Sequence, residues 1–384
     1  MQMQKKLIVV ALAAAAFSTS ALADTGNVSI YGAADLSFDM ISTGSTATGV
    51  SGVSKNAVSS NVSKLGFKGS EGLGEGLTAV WQIEQQINMD DTGGTLGTRN
   101  TFLGLKSDGM GTLLMGRHDT PYKLATRKLD VFADSIADNR ALLGGVSSAA
   151  ATTVVNAAAT GKSAGASFDG RQPNVLAYIT PAMNGFTGAL AYVAGAEATT
   201  LSTQTKGSAW SLAGMYDAAP FYGSLAYEVH NIGTAATGTV AAPAGLAAVA
   251  GLKESATKLG LGYKIDALEL GLAYEKTSDN FNAGTDFFGH NAYYLSGKYS
   301  FGNDAVKVAY GKAGNLGAAA NTGANQFSLG YDHSMSKRTK VYAIYSRISN
   351  QAGVNYVFSQ TTATSANGAG ASPSVFSFGM KHSF

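Results

Sequence analysis

From residue 28 onward the chain alternates apolar with polar or small side chains, in stretches of about ten residues separated by turn residues. In 28–39, Val28, Ile30, Gly32, Ala34, Leu36 and Phe38 fall on one face, and Ser29, Tyr31, Asp35, Ser37 and Asp39 fall on the other. In 77–86, Leu77, Ala79, Trp81 and Ile83 oppose Thr78, Gln82, Glu84 and Gln86. The same division holds for 259–265, 268–274 and 293–301. A period of two is the signature of strands with one apolar and one polar face. It predicts strands at 28–40, 60–70, 76–89, 98–107, 111–117, 171–180, 185–194 and 207–217. A second set follows at 220–231, 256–265, 267–277, 291–301, 304–313, 325–333, 338–349 and 375–384, sixteen in all.

A soluble sandwich would alternate too, with its apolar face packed inside. Two features favour a transmembrane barrel instead. Many runs reach ten or more residues, the length that crosses a bilayer at a tilt of about 45°. Tyr31, Phe38, Tyr178, Tyr192, Tyr274, Tyr299, Phe301 and Phe384 also recur near strand ends, where rings suit a membrane–water boundary. Connections alternate between tight ones, such as Asp266-Ala267 and Gly302-Asn303-Asp304, and long ones at 41–59, 118–170, 232–255, 278–290 and 350–374. Short turns at one end and long loops at the other fit a membrane barrel. An even strand number lets the last strand close on the first and leaves no edge. The long connections contain runs rich in Ala, Thr, Ser and Gly at 147–160, 234–251 and 360–372, compositions that suit solvated loops.

Composition narrows the classes. Charged residues are 14% of the 384, against about 25% in soluble domains. Forty-eight glycines and thirty-four Phe and Tyr, with few charges, suit β-structure that does not all face water. Absence of Cys excludes disulfides, thiolate metal sites and a cysteine nucleophile. The near-neutral charge, without a basic stripe, speaks against nucleic acid. At the start, Lys5 and Lys6 precede an apolar run, Leu7–Phe17, and a small-x-small site at Ala21-Leu22-Ala23. This predicts a secretory signal peptide over 1–23 and a single barrel domain over 24–384. The apolar run is too short to span a bilayer as a helix. The remaining 361 residues carry 25 basic and 25 acidic side chains.

No catalytic motif is present: the five histidines lack metal spacing and no G-x-S-x-G occurs. No cofactor or metal is expected. A barrel enzyme, an adhesin and a substrate-specific channel remain alternatives to a general channel.

Several segments carry a resemblance. Val28-Ser29-Ile30-Tyr31-Gly32, Ser63-Lys64-Leu65-Gly66-Phe67-Lys68-Gly69, Arg99–Leu105, Gly111–Arg117, Arg171–Tyr178 and the terminal Gly379–Phe384 occur in an order and spacing that resembles the Gram-negative general porins of beta-proteobacterial type. The resemblance implies an all-β, 16-stranded antiparallel barrel that assembles as a homotrimer. It implies passive diffusion of ions and small hydrophilic solutes across the outer membrane, among lipid and lipopolysaccharide. It also implies a third outer loop folded back into the barrel, and insertion by the barrel assembly machinery through an aromatic terminus, here Phe384.

That loop runs from about residue 118 to 170. Its first half, 118–140, holds Asp119, Asp130, Asp134 and Asp138 with Lys123, Arg127, Lys128 and Arg140, the densest charge in the chain. The resemblance places a basic wall opposite, at Lys64, Arg99 and Arg171, with Lys64 where Arg is more usual. Parity adds Lys68 beside Lys64. The expected arrangement is therefore a transverse field, with Asp130, Asp134 and Asp138 facing the wall bases and a weak preference for anions.

Overall fold

The structure is a computed structural model that describes residues 27–90, 96–145, 168–195, 204, 206–234, 251–281, 284–359 and 368–384. The expected signal peptide and much of the loops at 147–160, 234–251 and 360–372 lie outside the described residues. The strands are β1 (Asn27–Ser42), β2 (Ser54–Ser60), β3 (Lys64–Gly74), β4 (Leu77–Gln86), β5 (Thr101–Ser107) and β6 (Gly111–Asp119). After the long third loop come β7 (Arg171–Ile179), β8 (Phe186–Gly195), β9 (Gly207–Ala218), β10 (Phe221–Asn231), β11 (Lys253–Ile265) and β12 (Leu268–Asp279). The last five are β13 (Asn291–Phe301), β14 (Asp304–Ala313), β15 (Ala324–Ser334), β16 (Thr339–Asn350) and β17 (Ser374–Ser383).

Apart from β2 and β3, which do not pair with each other, each strand pairs antiparallel with its neighbours in sequence, and β1 closes the cylinder on β17, Ala33 opposite Ser383 through Ser42 opposite Ser374. The seventeen segments make sixteen staves, because β2 and β3 both pair with β1, over Leu36–Ser42 and Asn27–Ala33 respectively. The sequence-based expectation of one strand at 60–70 is corrected here. Side chains interrupt the ladder at 61–63: Ser63 Oγ accepts from the Asp35 amide at 2.9 Å, and the Asn61 amide reaches Ser37 Oγ at 3.1 Å and Tyr342 Oη at 2.9 Å. Asn and Ser compete with backbone pairing in this way.

The two faces are inverted relative to a soluble sandwich. On β1, Ala33, Asp35, Ser37 and Asp39 are at most 6% exposed, whereas Val28, Ile30, Phe38 and Met40 are 42–65% exposed. The same parity puts Leu103, Leu113, Trp210, Leu225, Leu261, Leu295 and Phe378 outside. In water so large an apolar surface would drive association. In a bilayer it matches its solvent, and closure of β17 on β1 removes the open sheet edges that lipid would not tolerate. Tight turns at the opposite end from the long loops use the residues their geometry demands: Glu75 and Gly76 both take positive φ, 51° and 75°, as a type I′ hairpin requires.

Candidate pore constriction

The loop between β6 and β7 enters the barrel at once. Thr120 caps a short helix, α1 (Pro121–Arg127), accepting from the Lys123 amide, and Pro121 occupies the first turn, where no donor is lost. Tyr122 is fully buried; its amide donates to Ser211 Oγ at 3.0 Å and its hydroxyl to Glu275 at 2.9 Å. The buried Lys258 ammonium lies 4.2 Å from the centre of the Tyr122 ring and binds Asp169 at 2.6 Å and Glu275 at 3.2 Å. Asp169 belongs to the returning limb, so one lysine ties both roots of the loop to β11 and β12.

From α1 onward the loop runs along the inner wall. Ala125 O accepts from Tyr222 Oη at 2.6 Å, Leu129 O from Ser296 Oγ at 2.6 Å, and Asp130 Oδ1 from Tyr294 Oη at 2.6 Å. Ala137 O accepts from the Gln326 amide at 3.3 Å. The wall beneath is small: a Cβ at Gly271 would meet Leu129 O at 2.9 Å, and one at Gly330 would meet the Phe132 ring at 2.7 Å. Only glycine permits that approach. Phe132, Ile136, Leu142 and Leu143, each at most 2% exposed, pack into a core with Ile344, Ile348 and Tyr356. At roughly 1.5–3 kcal/mol per fully buried large apolar side chain, this packing contributes most of the docking energy.

Among the described residues the ion pairs of Asp130, Asp134 and Asp138 are with loop arginines and not, as expected, with the wall bases Lys64, Arg99 and Arg171. Asp138 binds Arg127 at 2.8 Å and Arg140 at 2.7 Å. Asp134, at a positive φ of 63°, meets Arg127 and lies 3.5 Å from Arg140. Asp130 lies 3.7 Å from Arg127 and accepts from the amides of Phe132 and Asn139. Burial, with Asp138 nearby, pushes the Asp130 carboxyl up to about 6. Burial also opposes ionisation of Asp138, but the Arg140 and Arg127 guanidiniums hold it far below the usual carboxylate range. Burial likewise opposes ionisation of Asp134; Arg127, Arg140 and the more distant Arg99 on the opposite wall hold it down.

On that wall, Lys64 and Arg99 share one carboxylate, Glu84, at 3.0 Å and 2.5 Å. Arg171 and Lys123 share another, Asp119, at 3.1 Å and 2.8 Å. Arg171 also donates to Asn100 Oδ1 at 2.6 Å, and Lys68 stands 5.2 Å from the Tyr31 ring centre. Asp119 is therefore a wall residue: it ends β6 opposite Arg171 in register and is not part of the loop. Lys123, one of the loop bases, is thus tied to the wall acid Asp119; burial lowers its pKa while Asp119 and Arg140 pull it in opposite directions. Lys128 reaches Asp217 on β9 at 2.5 Å and covers the Tyr222 ring.

Between wall and loop lies a polar cavity of about 450 Å³, bordered by Arg117, Lys123, Arg140 and Arg171, by Gln86 and Thr98, and by a single acid, Asp169. Burial raises the Asp169 carboxyl against the pull of Lys258. Sequence reasoning missed Arg117, whose Nε donates to Thr98 O at 3.0 Å and which has no ion pair among the described residues. It also missed Glu84, the acid around which the basic wall is organised. Alternation along 77–86 had put Glu84 on the polar face, which was the available signal.

A family model described as Gram-negative porin matches residues 10–353. Curated relatives include the major outer membrane protein P.IB of Neisseria gonorrhoeae, 38% identical over 125 residues, covering 32% of this chain and 34% of that one. The protein of the same name from Neisseria sicca is 35% identical over 138 residues, covering 35% and 37%. The chain thus spans about a third of the length of these relatives. Among solved structures, an anion-selective porin from Comamonas acidovorans superposes with a TM-score of 0.74 at 23% identity, covering 94% of this chain and all of that one. The trimer form of OmpT, an outer membrane protein of Vibrio cholerae, gives 0.63 at 14% identity, with 94% and 100% coverage. At these identities the structures establish a shared barrel fold.

Proposed function

Because the chain belongs to the Gram-negative porin family, we propose that it is a passive, water-filled channel of the outer membrane for ions and small hydrophilic solutes, with a weak preference for anions. The observation that carries this reading is the third loop docked across the lumen, facing a wall cavity with four cations and one acid. The three aspartates expected to present negative charge share Arg127 and Arg140 within the loop, and burial favours the neutral form of Asp130. The two acids on the wall are each shared by two cations. The cavity lining is mainly basic, Arg117, Lys123, Arg140 and Arg171 against Asp169, with Lys64, Lys68 and Arg99 on the wall beside it, while Asp134 keeps 34% of its side chain exposed. Positive rings favour anions, and the fold match to an anion-selective porin points the same way.

Residues 1–23 act as the export signal in this reading, and 24–384 form the barrel. Three copies associate, as in the trimer form of the Vibrio protein. Phe384 serves the barrel assembly machinery, and the outer loops meet lipopolysaccharide. The test is planar-bilayer recording of the purified protein in a salt gradient. Stepwise conductance with an anion-directed reversal potential is expected; absence of steps would refute the channel. Replacing Arg99 and Arg171 by Glu moves the reversal potential toward cations. A fivefold change in permeability ratio corresponds to only about 1 kcal/mol, well within reach of two charge reversals. No shift at low ionic strength would remove both residues from the constriction.

A further inference from the structure

The lumen carries a second charged feature below the loop, on the tight-turn side. Lys264 on β11 stands opposite Glu269 on β12, Glu269 opposite Lys298 on β13, and Lys298 opposite Lys307 on β14. Lys307 binds Asp332 on β15 at 2.8 Å, and Asp332 binds Lys340 on β16 at 2.9 Å. Lys340 stands opposite Lys381 on β17, and Lys381 opposite Asp35 on β1, 3.4 Å away. By strand parity every one of these side chains is on the inner face. Glu269 is shared by Lys264 at 2.9 Å and Lys298 at 3.6 Å. Eight successive strands thus supply five lysines and three carboxylates, a surplus of two positive charges. At its middle the belt touches the constriction, where the Lys307 ammonium lies 5.0 Å from the Phe132 ring centre.

Ion pairing accounts for each lysine singly but not for the excess of lysines or the order of signs. Alternating charges would neutralise the belt and gain energy. Instead, Lys298 faces Lys307 and Lys340 faces Lys381, and like charges directly opposite destabilise a sheet. We propose that this lysine belt is a second specificity-determining element. It holds an anion-enriched vestibule at the tight-turn mouth and favours small multivalent anions, such as phosphates and di- or tricarboxylates, which gain most from a positive field. The proposal rests on the channel reading above and extends it: the constriction and the belt act in series.

Range separates the two elements. The Debye length is ~30 Å at 0.01 M salt and ~3 Å at 1 M, so charges set back from the narrowest point act only when the bath on their side is dilute. The test uses one trimer in a planar bilayer, with a salt gradient applied in each direction. The variant is Lys264→Gln/Lys298→Gln, chosen because both side chains are partly exposed, at 64% and 32%, so the barrel loses little packing. With the dilute bath on the tight-turn side, the anion-to-cation permeability ratio falls by about twofold, equivalent to ~0.4 kcal/mol. With the gradient reversed it does not change. Glu269→Gln moves the ratio the other way, and potassium phosphate at pH 8 shows a larger variant effect than potassium chloride. Wild-type protein without conductance steps overturns the channel reading. Normal steps with the same ratio in all three proteins, in both gradient directions, overturn the belt.

Discussion

Lys258 should govern whether the third loop stays in the lumen. Its ammonium is fully buried, binds Asp169 at 2.6 Å and Glu275 at 3.2 Å, and sits against the Tyr122 ring. The variant Lys258→Met keeps the length of the stem and removes the charge. Two carboxylates are then left in a buried site. Glu275 keeps the Tyr122 hydroxyl and the Gly144 amide, whereas Asp169 loses its one ionic partner among the described residues. Removing one partner of a buried ion pair typically costs about 3–5 kcal/mol. The barrel does not need Lys258: β11 stays paired with β10 and β12 along its length. The cost therefore falls on the loop, whose two limbs meet at this lysine. An increase of 3 kcal/mol in the docked-state energy raises the undocked population more than about a hundredfold. Hydrogen exchange read by mass spectrometry should show 121–130 and 143–145 exchanging faster by that order, with β10–β13 unchanged. Single-channel records should become noisier and reach larger conductance levels. Wild-type protection of the α1 peptide in Lys258→Met would refute the anchoring argument.

The loop's own acids predict a pH dependence. The Asp130 carboxyl is raised to about 6 by burial and Asp138, so the docked loop takes up a proton as pH falls from 7 toward 4 and is held more tightly. Asp138 is depressed, so its contribution is intact across that window and is lost only below the ordinary carboxylate range. Exchange of 128–140, corrected for intrinsic rate, should slow from pH 7 to pH 5 in wild type and should be flat in Asp130→Asn; equal slopes would refute the assignment. Deleting Phe384 should lower the yield of folded trimer on unboiled gels, because its amide and carbonyl close a pair of hydrogen bonds with Gly32, both at 3.0 Å. An undiminished trimer band would show that this closure is dispensable.

Strand positions were legible because inside-out alternation is a strictly local signal. Burial alternates along β13 and β14 as the period of two requires, and on β4 it leaves Ile83 exposed beside the buried Glu84. The interruption at 61–63 was not legible, since Asn61 and Ser63 break the ladder by bonding to Asp35, Ser37 and Tyr342, which are distant in sequence. The loop could be picked out by its length and charge, but the partners of its charges could not. Asp134 and Asp138 lie within eleven residues of Arg127, and choosing between a local pair and one across the lumen requires the turn at Asp134. The lysine belt was hidden for a related reason: each lysine alternates correctly, but only the stagger between strands places Lys298 against Lys307 and Lys340 against Lys381.

The seam between β1 and β17 also bears on the order of folding. Residues 33–42 meet residues 374–383, from opposite ends of the chain. The cylinder therefore cannot shut until residues 374–383 have been delivered. Contacts so distant in sequence form slowly, because the loop-closure entropy must be met before any pairing rewards it. During that interval β1 and β17 are open edges bearing Phe38, Met40, Phe376 and Phe378, the kind of surface on which chains pair with one another. A polypeptide with this seam must be kept apart from its siblings until it reaches the bilayer, and the rate at which the ends find each other sets how long that protection has to last.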